Sequence, residues 1–228
     1  MASYEKPDTW SGKAQKEGYP ARSVYKLKEM DEKFRLIPAG GMAGGRSDPA
    51  APGFRVLDLG AAPGSWSLYV LRRLAGTGFL AAADLAPLSR RYDRGLFDGG
   101  NFFFIRGDIT APEIRQALLE RGPYNLVICD AAPATTGNRT VDTLRSLELA
   151  ETALGYAEAA LKKGGGLVVK IFQGGDSGAL LKRLRGLFES GRAFKPAACR
   201  GGSFETYYVG LGWNCGILGG GDEYGQLS

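Results

Sequence analysis

A glycine-rich turn lies between an apolar run and an amphipathic segment, and its residue types suggest a ligand-binding site. The run 56–59 contains Asp58, the turn covers 60–64, and Trp66 opens the amphipathic segment. A strand, a tight glycine turn and a helix N-terminus form a cradle for a nucleotide-like ligand, because unpaired backbone N–H groups point into the crevice. An ordinary strand-to-helix turn has the same pattern, so the hypothesis needs support from the rest of the chain.

The turn differs from the two common phosphate-binding fingerprints. It matches neither Gly-x-Gly-x-x-Gly nor Gly-x-x-x-x-Gly-Lys-Ser/Thr, which argues against a dinucleotide or triphosphate site. Pro63 also removes one backbone donor from the turn, and this favours a ligand that has no phosphates to cradle. S-adenosylmethionine is such a ligand.

Polar residues accompany four further apolar runs. The second, third and fourth runs end in Asp84, Asp108 and Asp130, and the fifth contains Lys170. Ligands of open parallel sheets bind at the carboxyl ends of the strands, where Asp84 is placed for ribose hydroxyls and Asp108 for an adenine amino group. Each aspartate could instead cap a helix or form a turn, and Lys170 could extend its ammonium group to solvent.

Composition limits the chemistry that is open to the chain. The sequence has 228 residues, a net charge of +5 and no histidine, so acid–base catalysis would fall to other side chains. Cys129, Cys199 and Cys215 lack the Cys-x-x-Cys spacing, and we expect neither a disulfide framework nor a bound metal. Since no apolar run reaches the ~18 residues of a membrane span and no signal-peptide core is present, we expect a cytoplasmic protein without a membrane partner.

Predicted strands and helices alternate along the chain and carry these residues. Apolar runs predict strands at 54–59, 78–84, 101–106, 124–130 and 166–172. Amphipathic segments predict helices near 21–35, 65–75, 111–121, 139–162 and 177–190. A final pair of segments, 193–198 and 204–213, predicts a hairpin that adds an antiparallel strand at the edge. The expected fold is α/β, with a mostly parallel seven-stranded sheet and helices on both faces.

Four regions follow from this pattern. Residues 1–38 form a basic N-terminal extension with one helix, and 39–53 form a connection rich in Gly, Ala and Pro. Residues 54–213 form the α/β domain, and we expect the glycine-rich tail 214–228 to be disordered.

Taken together, the motifs resemble the FtsJ/RrmJ type of ribosomal RNA large-subunit 2′-O-ribose methyltransferase over residues 19–213. The resemblance rests on five segments, which are 21–27 (ARSVYKL), 58–67 (DLGAAPGSWS), 130–133 (DAAP), 168–174 (VVKIFQG) and 203–207 (SFETY). It implies a Rossmann-like methyltransferase fold that uses S-adenosylmethionine without a metal. Phe204 is a departure, since a polar or basic residue is expected beside the glutamate.

The resemblance also assigns residue roles. The family uses a Lys-Asp-Lys-Glu set, which corresponds here to the tetrad of Lys26, Asp130, Lys170 and Glu205. By the same comparison, the methyl donor is held by Gly64, Trp66, Asp84, Asp108 and Asp130. Lys170 is expected to act on the ribose hydroxyl, either as a neutral base or as a cation that orients the oxygen. Lys26 is expected to position the 2′-oxygen or a phosphate, and Glu205 to hold the two lysines in place.

The predicted reaction is 2′-O-methylation of 23S ribosomal RNA in the large ribosomal subunit, by a monomeric enzyme. Basic residues that would contact RNA include Lys13, Lys16 and Arg22 before Lys26, and six in 179–200: Lys182, Arg183, Arg185, Arg192, Lys195 and Arg200. Methylation of a transfer RNA anticodon loop is the alternative, and a non-catalytic RNA-binding relative is a more distant one. A nicotinamide-dependent reductase is disfavoured by the missing glycine fingerprint.

Overall fold

The computed structural model describes residues 9–41, 53–200 and 202–214, in which strands and helices alternate. The strands are β1 (Arg55–Leu59), β2 (Phe79–Asp84), β3 (Phe102–Arg106), β4 (Tyr124–Cys129), β5 (Leu161–Phe172), β6 (Phe188–Phe194) and β7 (Glu205–Trp213). The α-helices are α1 (Thr9–Lys16), α2 (Val24–Phe34), α3 (Ser65–Leu74), α4 (Pro112–Leu119), α5 (Arg139–Ala160) and α6 (Ser177–Leu187).

The seven strands form one sheet in the order β3-β2-β1-β4-β5-β7-β6. Strands β1 to β5 pair in parallel, and β7 pairs antiparallel with both β5 and β6. The predicted fold class is therefore confirmed. The structure adds that the antiparallel strand β7 lies inside the sheet, between β5 and the outermost strand β6.

Apolar side chains cover both faces of the sheet. One core includes residues of α4, α5 and α6, among them Leu118, Leu154 and Leu184. The other core includes residues of α1, α2 and α3, among them Leu27 and Leu68. Because both faces are covered, the central strands are apolar at nearly every position, which explains why their sequences show continuous runs rather than alternation.

The N-terminal segment is bound to the sheet domain through α3. The indole N–H of Trp66 donates to the carbonyl of Ser23 at 2.8 Å, and the Ala21 amide donates to the Ser65 hydroxyl at 2.8 Å. One turn further along α3, the Tyr69 hydroxyl donates to buried Asp31 at 2.6 Å. These contacts fix α2 on the sheet domain.

Some element bounds differ from the sequence-based prediction. Strand β5 begins at Leu161, directly after α5, and its register against β4 shifts between Tyr124 and Leu126. Strand β6 begins at Phe188 rather than 193, because its pairing with β7 sets its bounds and brings the rings of Phe188 and Trp213 within 5.0 Å. Helix α1 was not predicted. Residues 42–52 of the predicted connection and 215–228 of the predicted tail lie outside the described residues.

Candidate active site

The turn after β1 is shaped by two glycines with left-handed backbone. Gly60 has φ 75°, and a Cβ at this position would lie 2.6 Å from the Cα of Ala131, so glycine allows the turns after β1 and β4 to approach. Gly64 has φ 104°, and a Cβ there would lie 3.0 Å from the Phe97 ring. Both positions therefore exclude a side chain for conformational and steric reasons together.

A cleft opens beside this turn, at the carboxyl ends of β1, β2 and β3. It is lined by Gly60, Asp84, Leu85, Gly107, Asp108, Ile109, Ala131, Ala132 and Leu149, and we call it the carboxylate cleft. Asp84 accepts the Ala62 amide at 2.9 Å and the Ala86 amide at 2.8 Å. The amide and hydroxyl of Thr110 donate to Asp108 at 2.8 Å each, and these bonds hold the pKa of Asp108 below its ordinary value.

Gly64 and Trp66, which were predicted to bind the methyl donor, are not among the residues that line the carboxylate cleft. The Trp66 side chain is 2% exposed and its indole N–H is bonded to Ser23, so its ring supports α2 rather than facing the cleft. Gly64 faces Phe97 and Leu88. Any contact that these two residues make with a ligand would come from their backbone.

Beneath the turn, Asp58 is a fully buried carboxyl in β1. Its Oδ2 accepts the Ser67 hydroxyl at 2.7 Å, and its Oδ1 has no hydrogen-bond partner in the described residues. Burial, opposed by the Ser67 bond and reinforced by the charges of Asp130 and Asp84, raises the pKa of Asp58 to about 7.

On the other side of β4, Lys170 is held by Asp130. The Lys170 ammonium lies 3.1 Å from the Asp130 carboxylate and also donates to the Asp130 backbone carbonyl. The Lys170 side chain is 8% exposed, so this pair accounts for a lysine inside an otherwise apolar strand.

Lys26 and Glu205 form a second ion pair. Their charged atoms are 2.8 Å apart, and their side chains are 11% and 12% exposed. Helix α2 supplies the lysine and the first residue of β7 supplies the glutamate. The four residues of the tetrad, which come from α2, β5, β7 and the turn after β4, therefore form two ion pairs.

Tyr207 links the two pairs, and sequence analysis assigned it no role. Its hydroxyl donates to Asp130 at 2.7 Å, and the Lys26 ammonium lies 5.9 Å from the centre of its ring. Burial, together with the charges of Asp130 and Glu205, raises the pKa of Tyr207 well above its ordinary value, so the hydroxyl remains a donor.

The register of β5 against β7 explains this grouping. Lys170 is directly opposite Tyr207, and Phe172 is opposite Glu205. Side chains two residues apart on a strand share a face, so Glu205, Tyr207 and Lys170 point to the same side of the sheet. The alternation Glu-x-Tyr places Tyr207 on the face of Glu205, and only the pairing with β5 brings it opposite Lys170.

Beside the Lys26–Glu205 pair lies a second cavity. It is lined by Arg22, Ser23, Lys26, Thr135, Phe172, Arg200, Ser203, Phe204 and Glu205, and we call it the basic pocket. Cys199 contacts the same glutamate; burial and the Glu205 carboxylate raise the pKa of its thiol to about 12, so it stays protonated. The arrangement places positive charge and aromatic rings next to the tetrad.

Within residues 9–41, 53–200 and 202–214, no group of three or more His, Cys, Asp or Glu side chains is arranged to hold a metal ion. In the same part of the chain, no helix combines the length and the apolar character that a membrane crossing requires.

The chain is similar to methyltransferases in both sequence and structure. The profile of the FtsJ-like methyltransferase family matches residues 19–213. The ribosomal RNA large subunit methyltransferase E of Treponema denticola is 55% identical over 209 residues, which cover 91% of this chain and 96% of the relative. The protein of the same name from Oleidesulfovibrio alaskensis is 42% identical, covering 88% and 89% of the two chains.

Among solved structures, a Plasmodium falciparum protein described as a ribosomal RNA methyltransferase superposes with a TM-score of 0.66. It is 24% identical and covers 86% of this chain and 98% of its own. At this identity, the likeness supports the fold.

Proposed function

The chain belongs to the FtsJ-like methyltransferase family, and from this premise we propose that it methylates a ribose 2′-hydroxyl of large-subunit ribosomal RNA with S-adenosylmethionine. The observation that carries the proposal is the tetrad itself, in which two ion pairs meet at Tyr207 between the carboxylate cleft and the basic pocket. The sequence-based expectations for enzyme class and large-subunit RNA agree with the named relatives.

We assign the methyl donor to the carboxylate cleft. Gly60 lets the turns after β1 and β4 approach beside the cleft, and Asp84 and Asp108 line it with acceptor oxygens. Carboxylate oxygens accept hydrogen bonds from hydroxyl and amino groups, so Asp84 would hold the ribose hydroxyls and Asp108 the adenine amino group. Backbone groups at Gly64 and Trp66 and the carboxylate of Asp130 would complete the binding set, and no metal ion takes part.

S-adenosylmethionine supplies a methyl group on a sulfonium, and the C–S bonding pair stays on sulfur when the ribose oxygen displaces it. The protein must align the 2′-hydroxyl and accept its proton. Alignment of reacting groups is worth roughly 7–11 kcal/mol in favourable cases, so positioning is the larger task.

Lys170 is the group that we assign to the hydroxyl. Asp130 holds its ammonium through a carboxylate and a carbonyl oxygen. From this position the ammonium would orient the ribose oxygen as a hydrogen-bond donor. In its neutral form the same nitrogen would accept the hydroxyl proton. Lys26, fixed by Glu205, would position the oxygen or the adjoining phosphate.

The basic residues that were predicted to contact RNA differ in their ion pairing and in their distance from the tetrad. In α6, Arg183 is paired with Glu151 at 2.7 Å and Glu158 at 2.5 Å, which reduces its value as a phosphate ligand. Arg22 and Arg200 line the basic pocket beside Lys26. We therefore assign the phosphate contacts nearest to the reaction to these two arginines.

Methylation of separated RNA pools tests this proposal. Large ribosomal subunits, small subunits and transfer RNA from cells that lack the protein would each be incubated with labelled S-adenosylmethionine. We expect label in the large-subunit RNA with the wild-type enzyme and none with Lys170→Ala. Label in the transfer RNA pool alone would contradict the ribosomal assignment.

A further inference from the structure

An aromatic ring with an arginine above it lies at the mouth of the basic pocket and has no part in the tetrad. Phe204 immediately precedes β7, and its ring is partly exposed. The Arg139 guanidinium, from the first residue of α5, lies 5.3 Å from the centre of that ring. This position is also where the sequence departs from the expected polar or basic residue.

The ring is held in place from below. Phe172 is 7% exposed and packs against Phe204 with ring centres 4.7 Å apart, at an angle of 60°. The backbone carbonyl of Phe204 accepts the Gln173 amide at 2.9 Å, which ties it to the end of β5. The ring is therefore a fixed surface rather than a loose side chain.

Charge around this ring favours a nucleotide. Arg22 and Arg200 line the same pocket, and the negative charge of Glu205 is matched by Lys26 at 2.8 Å. The pocket thus combines an aromatic face, a guanidinium group and an excess of positive charge. Proteins that bind unpaired RNA nucleotides use these elements, with aromatic and guanidinium planes for the base and cations for the phosphates.

We propose that Phe204 and Arg139 form a stacking platform for the base of the RNA nucleotide that enters the basic pocket. The platform holds the base while the tetrad receives the ribose. Because stacking does not depend on base identity, Phe204 and Arg139 contribute affinity and orientation rather than sequence readout. The inference rests on the proposed RNA methyltransferase function.

Steady-state methylation of large ribosomal subunits by Phe204 variants tests the platform. For Phe204→Leu, which keeps an apolar side chain but removes the ring, we expect KM for the subunit to rise about tenfold, with donor affinity unchanged. Phe204→Trp keeps an aromatic face, and we expect KM within about twofold of the wild-type value. As a matched control, Phe104→Leu removes a partly exposed ring on β3, at the far edge of the sheet, and we expect an unchanged KM.

The exposed Arg139 gives a second variant that leaves the packing against Phe172 intact. We expect Arg139→Gln to raise KM about threefold, in line with the small value of an exposed cation–π contact. The platform is wrong if Phe204→Leu and Arg139→Gln both keep the wild-type KM, or if Phe204→Trp is as weak as Phe204→Leu. Failure of the wild-type enzyme to label the subunits would instead overturn the proposed function.

Discussion

In the carboxylate cleft, Asp84 and Asp108 bind backbone amides and a hydroxyl, whereas in the tetrad Asp130 and Glu205 each bind a lysine. Among the described residues, neither cleft carboxylate forms an ion pair. The cleft therefore offers hydrogen-bond acceptors to a ligand. In the tetrad, each carboxylate instead holds a lysine in place, and the two lysines are assigned to the RNA. The difference separates binding of the donor from action on the RNA, so variants of the cleft should affect donor affinity and variants of the tetrad should affect turnover.

The largest expected effect is at Lys170. For Lys170→Ala we expect turnover to fall by about 10²–10⁴-fold, because the group that either orients the hydroxyl or accepts its proton is lost. Calorimetry should show donor affinity close to wild type. Lys163→Ala, at an exposed position of the same strand, is the matched control. Retention of more than about a tenth of wild-type turnover would disprove the role of Lys170.

Asp84→Ala should have the converse effect. Loss of hydrogen bonds between a carboxylate and the donor costs roughly 1.5–3 kcal/mol, so we expect the donor Kd to rise about 10- to 100-fold. With saturating donor, turnover should recover most of its wild-type value. Asp98→Ala removes an exposed carboxylate that pairs with Arg90, and it should leave the Kd unchanged. An unchanged Kd in Asp84→Ala would show that the carboxylate cleft does not bind the methyl donor.

A smaller effect is expected from Glu205→Gln, which keeps a hydrogen-bond acceptor for Lys26 but removes the charge. We expect turnover to fall about tenfold, equivalent to ~1.4 kcal/mol, since Lys26 is then free to change position. The donor Kd should not change. Equal losses in turnover and donor affinity would show that the tetrad and the carboxylate cleft do not act separately.

The smallest effect concerns Asp58, a buried acid that has no cationic partner among the described residues, unlike Asp130 and Glu205. Its folded-state pKa of about 7 lies above the ordinary value of 3.8, so the native state binds a proton that the unfolded chain has lost. This contribution to stability is present near pH 4 and is lost as the pH rises through 7. Between pH 6 and 7 we expect a loss of about 1 kcal/mol.

Urea unfolding at several pH values measures this contribution, with Asp58→Asn as the comparison. The variant should lack this part of the pH dependence. A parallel dependence in both proteins would show that Asp58 ionises normally in the folded state.

Sequence reasoning reached these residues by two different routes. Asp84, Asp108, Asp130 and Lys170 follow from the pattern of apolar runs, because parallel strands end at a common edge. Lys26 and Glu205 were found through family resemblance alone, since α2 reaches the tetrad by packing on α3 through Ser23 and Trp66.

Long-range pairing also explains what the sequence did not show. The role of Tyr207 depends on the register between β5 and β7, and the start of β6 depends on its pairing with β7. The Phe204–Arg139 contact joins residues 65 positions apart. No local pattern encodes such distances.

The role assigned to the tetrad is to direct the methyl group to a ribose hydroxyl, and the position of the label on the RNA tests that role. Large-subunit RNA labelled by the wild-type enzyme would be digested with alkali, which cleaves only where a free 2′-hydroxyl can attack the adjoining phosphate. We expect the label to appear in alkali-stable dinucleotides. Label confined to mononucleotides would place the methyl group on a base and contradict the account.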